Sequence, residues 1–390
     1  METLTAQYYN ALTAGASLDP NQFQLAQGSI SLTPDSSAIW RFFDSMPPQV
    51  INNFFQTSQL NSFSQTYGAV INNLIPQSDN QAQVLLADSY VGWVEYQKNN
   101  PLTVSDWSVQ AEITKATLAQ FNQWAHSVGL DSSKISAMQT LLGQTDIIAN
   151  AMNAYNAARA AGGLAYTASA TNLTNSLQSG TPKSFTLESK TQSSKLDHKW
   201  AKAKVSAEYW FVSGSASSAW DRTITDMASK GIKMEVSFKK LATLVGGPYA
   251  LSTQMSPELA KYVPWYNAKA LQTARAQNDN NLWKHSAPTW EQTFGPDGNM
   301  QQATTALIVV DGVMSTLTST ASVAKSDQEN FQAAARLGVW PWFQANASGG
   351  WQNVVKFNDD GTFSVTSGNP KEGNPVVLGA LVTNIQNAFN

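Results

Sequence analysis

The chain of 390 residues contains no cysteine. Disulfides, thiolate metal sites and a cysteine nucleophile are therefore excluded. Charge is scarce as well. Asp, Glu, Lys and Arg make up 13% of the residues, about half the usual share of roughly 25%. Asn, Gln, Ser and Thr stand in their place, and 42% of the residues are hydrophobic, which supports real cores and argues against a disordered chain. A net charge of -3 gives no general attraction to nucleic acid. No apolar run approaches the roughly 20 residues of a membrane-spanning helix; the longest, "ALIVV" at 306–310, is strand-sized. The opening stretch "METLTAQYYNALTAGASLDPNQF" has neither a basic region nor a continuous apolar core. It does not read as a secretion signal, so the sequence predicts synthesis in the cytoplasm, with release by lysis or a non-classical route.

Catalytic motifs are also missing. There is no phosphate-cradling glycine loop, no dinucleotide fingerprint and no Gly-x-Ser-x-Gly elbow; "VSGSASSAW" lacks the second glycine. The three histidines, His126, His198 and His285, stand far apart, and none has a neighbour at metal-ligand spacing. His198 beside Asp197 is an adjacent polar pair at a strand start, and Asp359-Asp360 lacks the spaced oxygen ligands that calcium needs. No catalytic residue, cofactor or metal site is assigned, and the expectation is a non-enzymatic protein.

What is present organises the chain in two parts. Pro47-Pro48, Pro76, Pro101 and Gly162-Gly163 punctuate segments of helical spacing. Ser78 with Gln81 forms a capping box, Ser105 and Asp131 serve as N-caps, and Gly129 is a stop. Several helices with short connections describe a bundle over 1–165. Ala, Ser, Thr, Asn and Gly dominate 166–183, which reads as a linker. After it the period becomes two. Ile232, Met234, Val236 and Phe238 alternate with Lys233, Glu235, Ser237 and Lys239, the pattern of a half-buried antiparallel strand. Ser256-Pro257 opens a further helical segment to 276, 277–300 is a long loop, and Ser326 with Glu329 starts a short helix. "TTALIVVDGVMSTLTST" reads as a strand buried on both faces at its start, and Val355 to Val365 as a hairpin around an Asp-Gly turn. The fold class is α+β: an N-terminal helical bundle, then an antiparallel β-sandwich-like domain over 184–390 with inserted helices.

Tryptophan is the unusual residue, with 13 copies. In "KWAKAKVSAEYWF" at 199–211, one face carries Ala201, Ala203, Val205, Ala207, Tyr209 and Phe211, and the other carries Trp200, Lys202, Lys204, Ser206, Glu208 and Trp210. The two tryptophans stand about 33 Å apart in an extended strand, and the lysines between them oppose direct lipid contact. The region 183–240 holds 11 Lys and Arg against 6 Asp and Glu, a local excess that favours an anionic surface. The candidate contact residues are Trp200, Lys202, Lys204, Trp210, Trp283, Trp290, Trp340, Trp342, Phe343 and Trp351. Rings at element ends serve as caps of a core, as anchors at a membrane interface, or as platforms for a sugar or a protein partner.

"FQLAQGSISL" at 23–32, "IWRFFDSMPP" at 39–48 and the later "ALIVVDGV" and "NPVVLGALVTNI" resemble a family of uncharacterised bacterial proteins with a helical N-terminal part and a Ser-rich β C-terminal part. The resemblance implies that architecture and carries over no functional residue. The expected function is toxin-like or surface-binding, by contact with a membrane or an anionic partner through the β part. Self-assembly into a homo-oligomer through polar Asn/Gln interfaces and carbohydrate binding through the tryptophans are the alternatives.

Overall fold

The computed structural model describes residues 2–47, 62–107, 109–143, 146–195, 228–253, 256–325, 328–329, 332 and 350–389. Its elements are α1 (Glu2–Ala16), β1 (Phe23–Ser31), α2 (Ser36–Asp44), α3 (Phe63–Asn72), α4 (Gln77–Leu86), α5 (Tyr90–Asn99), α6 (Gln110–Ser127), α7 (Ser132–Leu142), α8 (Ile147–Ala160), α9 (Ala170–Gln178), β2 (Thr181–Glu188), β3 (Ile232–Val245), α10 (Ala268–Ala276), α11 (Trp290–Phe294), β4 (Gln302–Ser319), β5 (Gln352–Phe357), β6 (Phe363–Asn369) and β7 (Val376–Asn384). The class is α+β. The described strands form one antiparallel sheet of seven, where the sequence suggested a sandwich.

The contacts divide the chain into two units, neither of them contiguous. A sheet unit holds Met1–Ser58, Ala168–Gly246 and Gln302–Asn384, and a helical unit holds Gln59–Thr167, Gly247–Gln301 and Ile385–Asn390. One switch between the units falls at Thr167/Ala168, close to the expected break near residue 165, and both units return later in the chain. The lead of the chain, placed by the sequence in the helical bundle, supplies α1 and β1 to the sheet unit, and β1 pairs with the last strand, β7, at Phe23↔Leu381 and Leu25↔Gly379. Residues 170–178, read as linker, are α9. Ser169 Oγ accepts from Asn172 N at 3.1 Å and Asn172 Oδ1 accepts from Ser169 N at 3.0 Å, a capping box. Leu173 then anchors the helix as a buried apolar residue.

In the sheet unit the expected alternation holds. Ile232, Met234, Val236 and Phe238 are buried while Lys233, Glu235, Ser237 and Lys239 are exposed. β3 lies along β4 from Ile232↔Ser319 to Val245↔Ala306. The other edge of β4 is shared: β7 pairs with its first half up to Val310↔Val376, and β6 with its second half from Val313↔Asn369. The fork between them falls at Asp311-Gly312. Gly312 has φ +66, the left-handed region open to glycine. A Cβ there would lie 2.8 Å from the Lys239 side chain.

Ser78 and Gln81 do not form the predicted capping box. Pro76 is the N-cap of α4 and Ser78 lies inside the helix, because Asp146 is the stronger acceptor: its Oδ2 takes Ser78 N at 2.8 Å and Ser78 Oγ at 2.7 Å. Asp146 Oδ1 also accepts from Ile148 N and Ala149 N, both at 3.0 Å, so one carboxylate serves the first turns of α4 and α8. Asp131 caps α7 as expected through Ser133 N at 2.7 Å. Ser105 caps nothing, since α6 begins at Gln110. Aromatic clusters are prominent in the core of the helical unit. Trp93 stands edge-on to Phe121 at 5.3 Å among α4, α5, α6 and α7. Tyr67 lies 5.5 Å from Trp265 and 5.1 Å from Tyr266; such ring pairs add about 0.5–1.5 kcal/mol each beyond their buried area.

Candidate functional site

Of the expected 256–276 helix only α10 forms, and its position is set from both ends. Its N-cap, Asn267, accepts from Ala270 N at 3.1 Å, and the Asn267 backbone N–H donates to Tyr67 Oη at 2.9 Å. Burial pushes the Tyr67 hydroxyl far above its ordinary range, with Tyr266 and Tyr155 adding to it and the Asn267 N–H opposing. The group therefore stays a neutral acceptor. At the other end two indoles satisfy carbonyls that a helix terminus leaves unpaired. Trp283 Nε1 donates to Ala274 O at 3.1 Å and to Gln277 O at 2.8 Å, and Trp290 Nε1 donates to Arg275 O at 2.9 Å.

Two cavities border α10, of about 510 Å³ and about 590 Å³, and both touch Tyr266, Ala268 and Gln272. The first adds Trp107, Asn150 and Lys269; the second adds Arg275, Trp290 and Phe294, with Gln386 and Asn387 on its rim. Ala268, Leu271, Gln272 and Arg275 line the second cavity at i, i+3, i+4 and i+7, one face of the helix. Lys269 and Gln272 are exposed, and Arg275 is half-buried. Among the described residues each cavity is lined by one cation, Lys269 in the first and Arg275 in the second, and by no carboxylate. The groove is therefore electropositive in a chain of net charge -3.

The predicted contact residues fare differently. Trp283 is 5% exposed, with its N–H spent on two carbonyls, so it is a structural cap of α10 and presents no contact surface. Trp290 is half-buried, 6.2 Å from the Phe294 ring, and lines the groove. Trp351 is half-buried just before β5. Trp200, Lys202, Lys204, Trp210, Trp340, Trp342 and Phe343 lie outside the described residues, as do Asp197 and His198. His126 and His285 are exposed. Lys269, Gln272 and Arg275 were not singled out from sequence, although their helical spacing in "AKALQTARA" was there to read.

A second cleft, of about 440 Å³, opens in the sheet unit beside the β4 fork. Leu32, Leu173 and Leu177 form apolar wall, and Lys240, Asp311 and Glu372 are the charged groups. Asp311 is 4% exposed. Its Oδ1 accepts from Gly312 N at 2.9 Å and Asn374 N at 3.2 Å, and its Oδ2 from Gly373 N at 2.7 Å. The carboxylate thus clamps the loop between β6 and β7 onto the fork. Lys240 Nζ lies 3.5 Å from Glu372 Oε2. These charges already have partners, and the arrangement is accounted for as architecture.

Among the described residues no three metal-ligating side chains cluster, and no helix is long and apolar enough to cross a membrane. The chain matches no family model, no curated protein and no solved structure.

Proposed function

We propose that the protein acts by contact and binds an anionic partner in the groove along α10. The observation that carries this reading is the lining itself. Arg275 lines one cavity with the half-buried Trp290, Lys269 lines the other, the exposed Gln272 borders both, and no described lining residue is acidic. Arg275 offers the planar fork that pairs with a carboxylate or sulfate through two parallel bonds, and Lys269 adds a point charge. Both lie within 184–390, the part of the sequence expected to make the contact, although they belong to the helical unit. Partial enclosure by Tyr266, Phe294 and Trp290 lowers the local dielectric and strengthens such pairs relative to open surface.

The test is retention of the full chain on immobilised dextran sulfate, with uncharged dextran as control, at low and high salt. The wild type is expected to bind only the sulfated polymer and to release it as salt rises. The double variant Lys269→Gln, Arg275→Gln is expected to lose most of the retention. Equal retention of that variant would remove the groove as the contact site.

A further inference from the structure

We infer that the partner is an acidic oligosaccharide, a chain of uronate-type rings; this rests on the anion-binding reading above and names its chemistry. The two cavities share Tyr266, Ala268 and Gln272, so they adjoin beside α10, a helix about 12 Å long from Ala268 to Ala276 at 1.5 Å per residue. Each cavity lies within the roughly 300–1,000 Å³ range of ligand sites. Adjoining cavities suit a linear ligand.

The chemistry is that of hydroxyls and one acid per unit. Asn387, on the rim of the second cavity, is an exposed amide. An amide offers both a donor and an acceptor, which matches neighbouring hydroxyls that each do the same. Trp290 has its N–H committed to Arg275 O, so what it offers a ligand is apolar ring surface, suited to the C–H face of a pyranose. Arg275 and Lys269 take the carboxylates. A polynucleotide fits less well, because a single strand carries a charge about every 3.4 Å, and two cations on a chain of net charge -3 cannot match it.

Calorimetric titration of the full chain separates these cases with four probes: an oligogalacturonate, its methyl ester, a cello-oligosaccharide and oligo-dT. The oligogalacturonate is expected to bind best, with the ester about tenfold weaker or more. The double variant Lys269→Gln, Arg275→Gln should bring the acid down to the level of the ester, and Arg275→Gln alone should close part of that gap. Trp290→Ala should weaken acid and ester alike. The exposed Lys269→Gln serves as a second variant that leaves packing intact, and circular dichroism confirms folding of each. Oligo-dT binding tighter than the acid would overturn the saccharide assignment while leaving the anion reading standing. Equal binding of acid and ester would overturn the anion reading. Binding of none of the four would overturn both.

Discussion

Asp79 should make the helical unit less stable as pH rises, and Asp79→Asn should remove that loss. Burial first, and then the carboxylate of Asp146, push the Asp79 carboxyl up from 3.8 to about 6, with Lys284 opposing. Below 3.8 the group is protonated in the folded and unfolded chain alike, and it costs nothing. Between 3.8 and about 6 the unfolded chain loses its proton first, so stability falls; above about 6 the full cost is present. At about 1.4 kcal/mol per pH unit the cost is about 3 kcal/mol. Asp79 lies in the first turn of α4, where a negative charge also gains about 0.3–1 kcal/mol from the helix dipole. The variant should therefore be about 2–3 kcal/mol more stable than wild type near pH 8 and equal to it near pH 3.5. Urea unfolding followed by tryptophan fluorescence measures this, because Trp93, Trp107, Trp124, Trp265 and Trp283 are buried in the helical unit. A difference between the two proteins that stays constant from acid to alkaline pH would refute the reasoning.

Two further variants probe the scaffold. In Gly68→Ala the new Cβ would lie 2.0 Å from Tyr155 Cζ, so the variant should lose about 1–3 kcal/mol by overpacking; shortening the ring partner with Tyr155→Leu in the same chain should lessen the added cost of the alanine in urea unfolding, and strict additivity would count against the clash. Asp311→Ala strips the acceptor from Gly373 N and Asn374 N and should cost about 2–4 kcal/mol. Faster amide exchange at both residues is expected, and unchanged exchange would show that the clamp does not hold the loop.

Local features were legible where one physical cause dominated. The alternation from Ile232 to Phe238 became β3 because each side chain faces either core or water. Asp131 became the cap of α7, and Gly129 and Gly162 took positive φ at helix ends, because these depend on a few adjacent residues. "VVLGALVTN" is β7: its sheet neighbours, β1 and β4, lie far away in sequence, and only they decide. Ser78 carried a capping signal that Asp146, 68 residues on, overrode. The tryptophans were the clearest anomaly and the least readable one. Trp265, Trp283 and Trp290 each donate the indole N–H to a backbone carbonyl, at Ala165, at Ala274 and Gln277, and at Arg275, and no spacing rule announces such a bond.

The sequence by itself determined the class, the helix stops and the faces of the long central strands, since period and punctuation are short-range properties of the chain. Tertiary structure alone decided that the first strand joins the last, that the units interleave along the chain, and that Lys269, Gln272, Arg275 and Trp290 line two adjoining cavities. Those outcomes depend on which distant surfaces exclude water together, and burial of that kind leaves no local pattern.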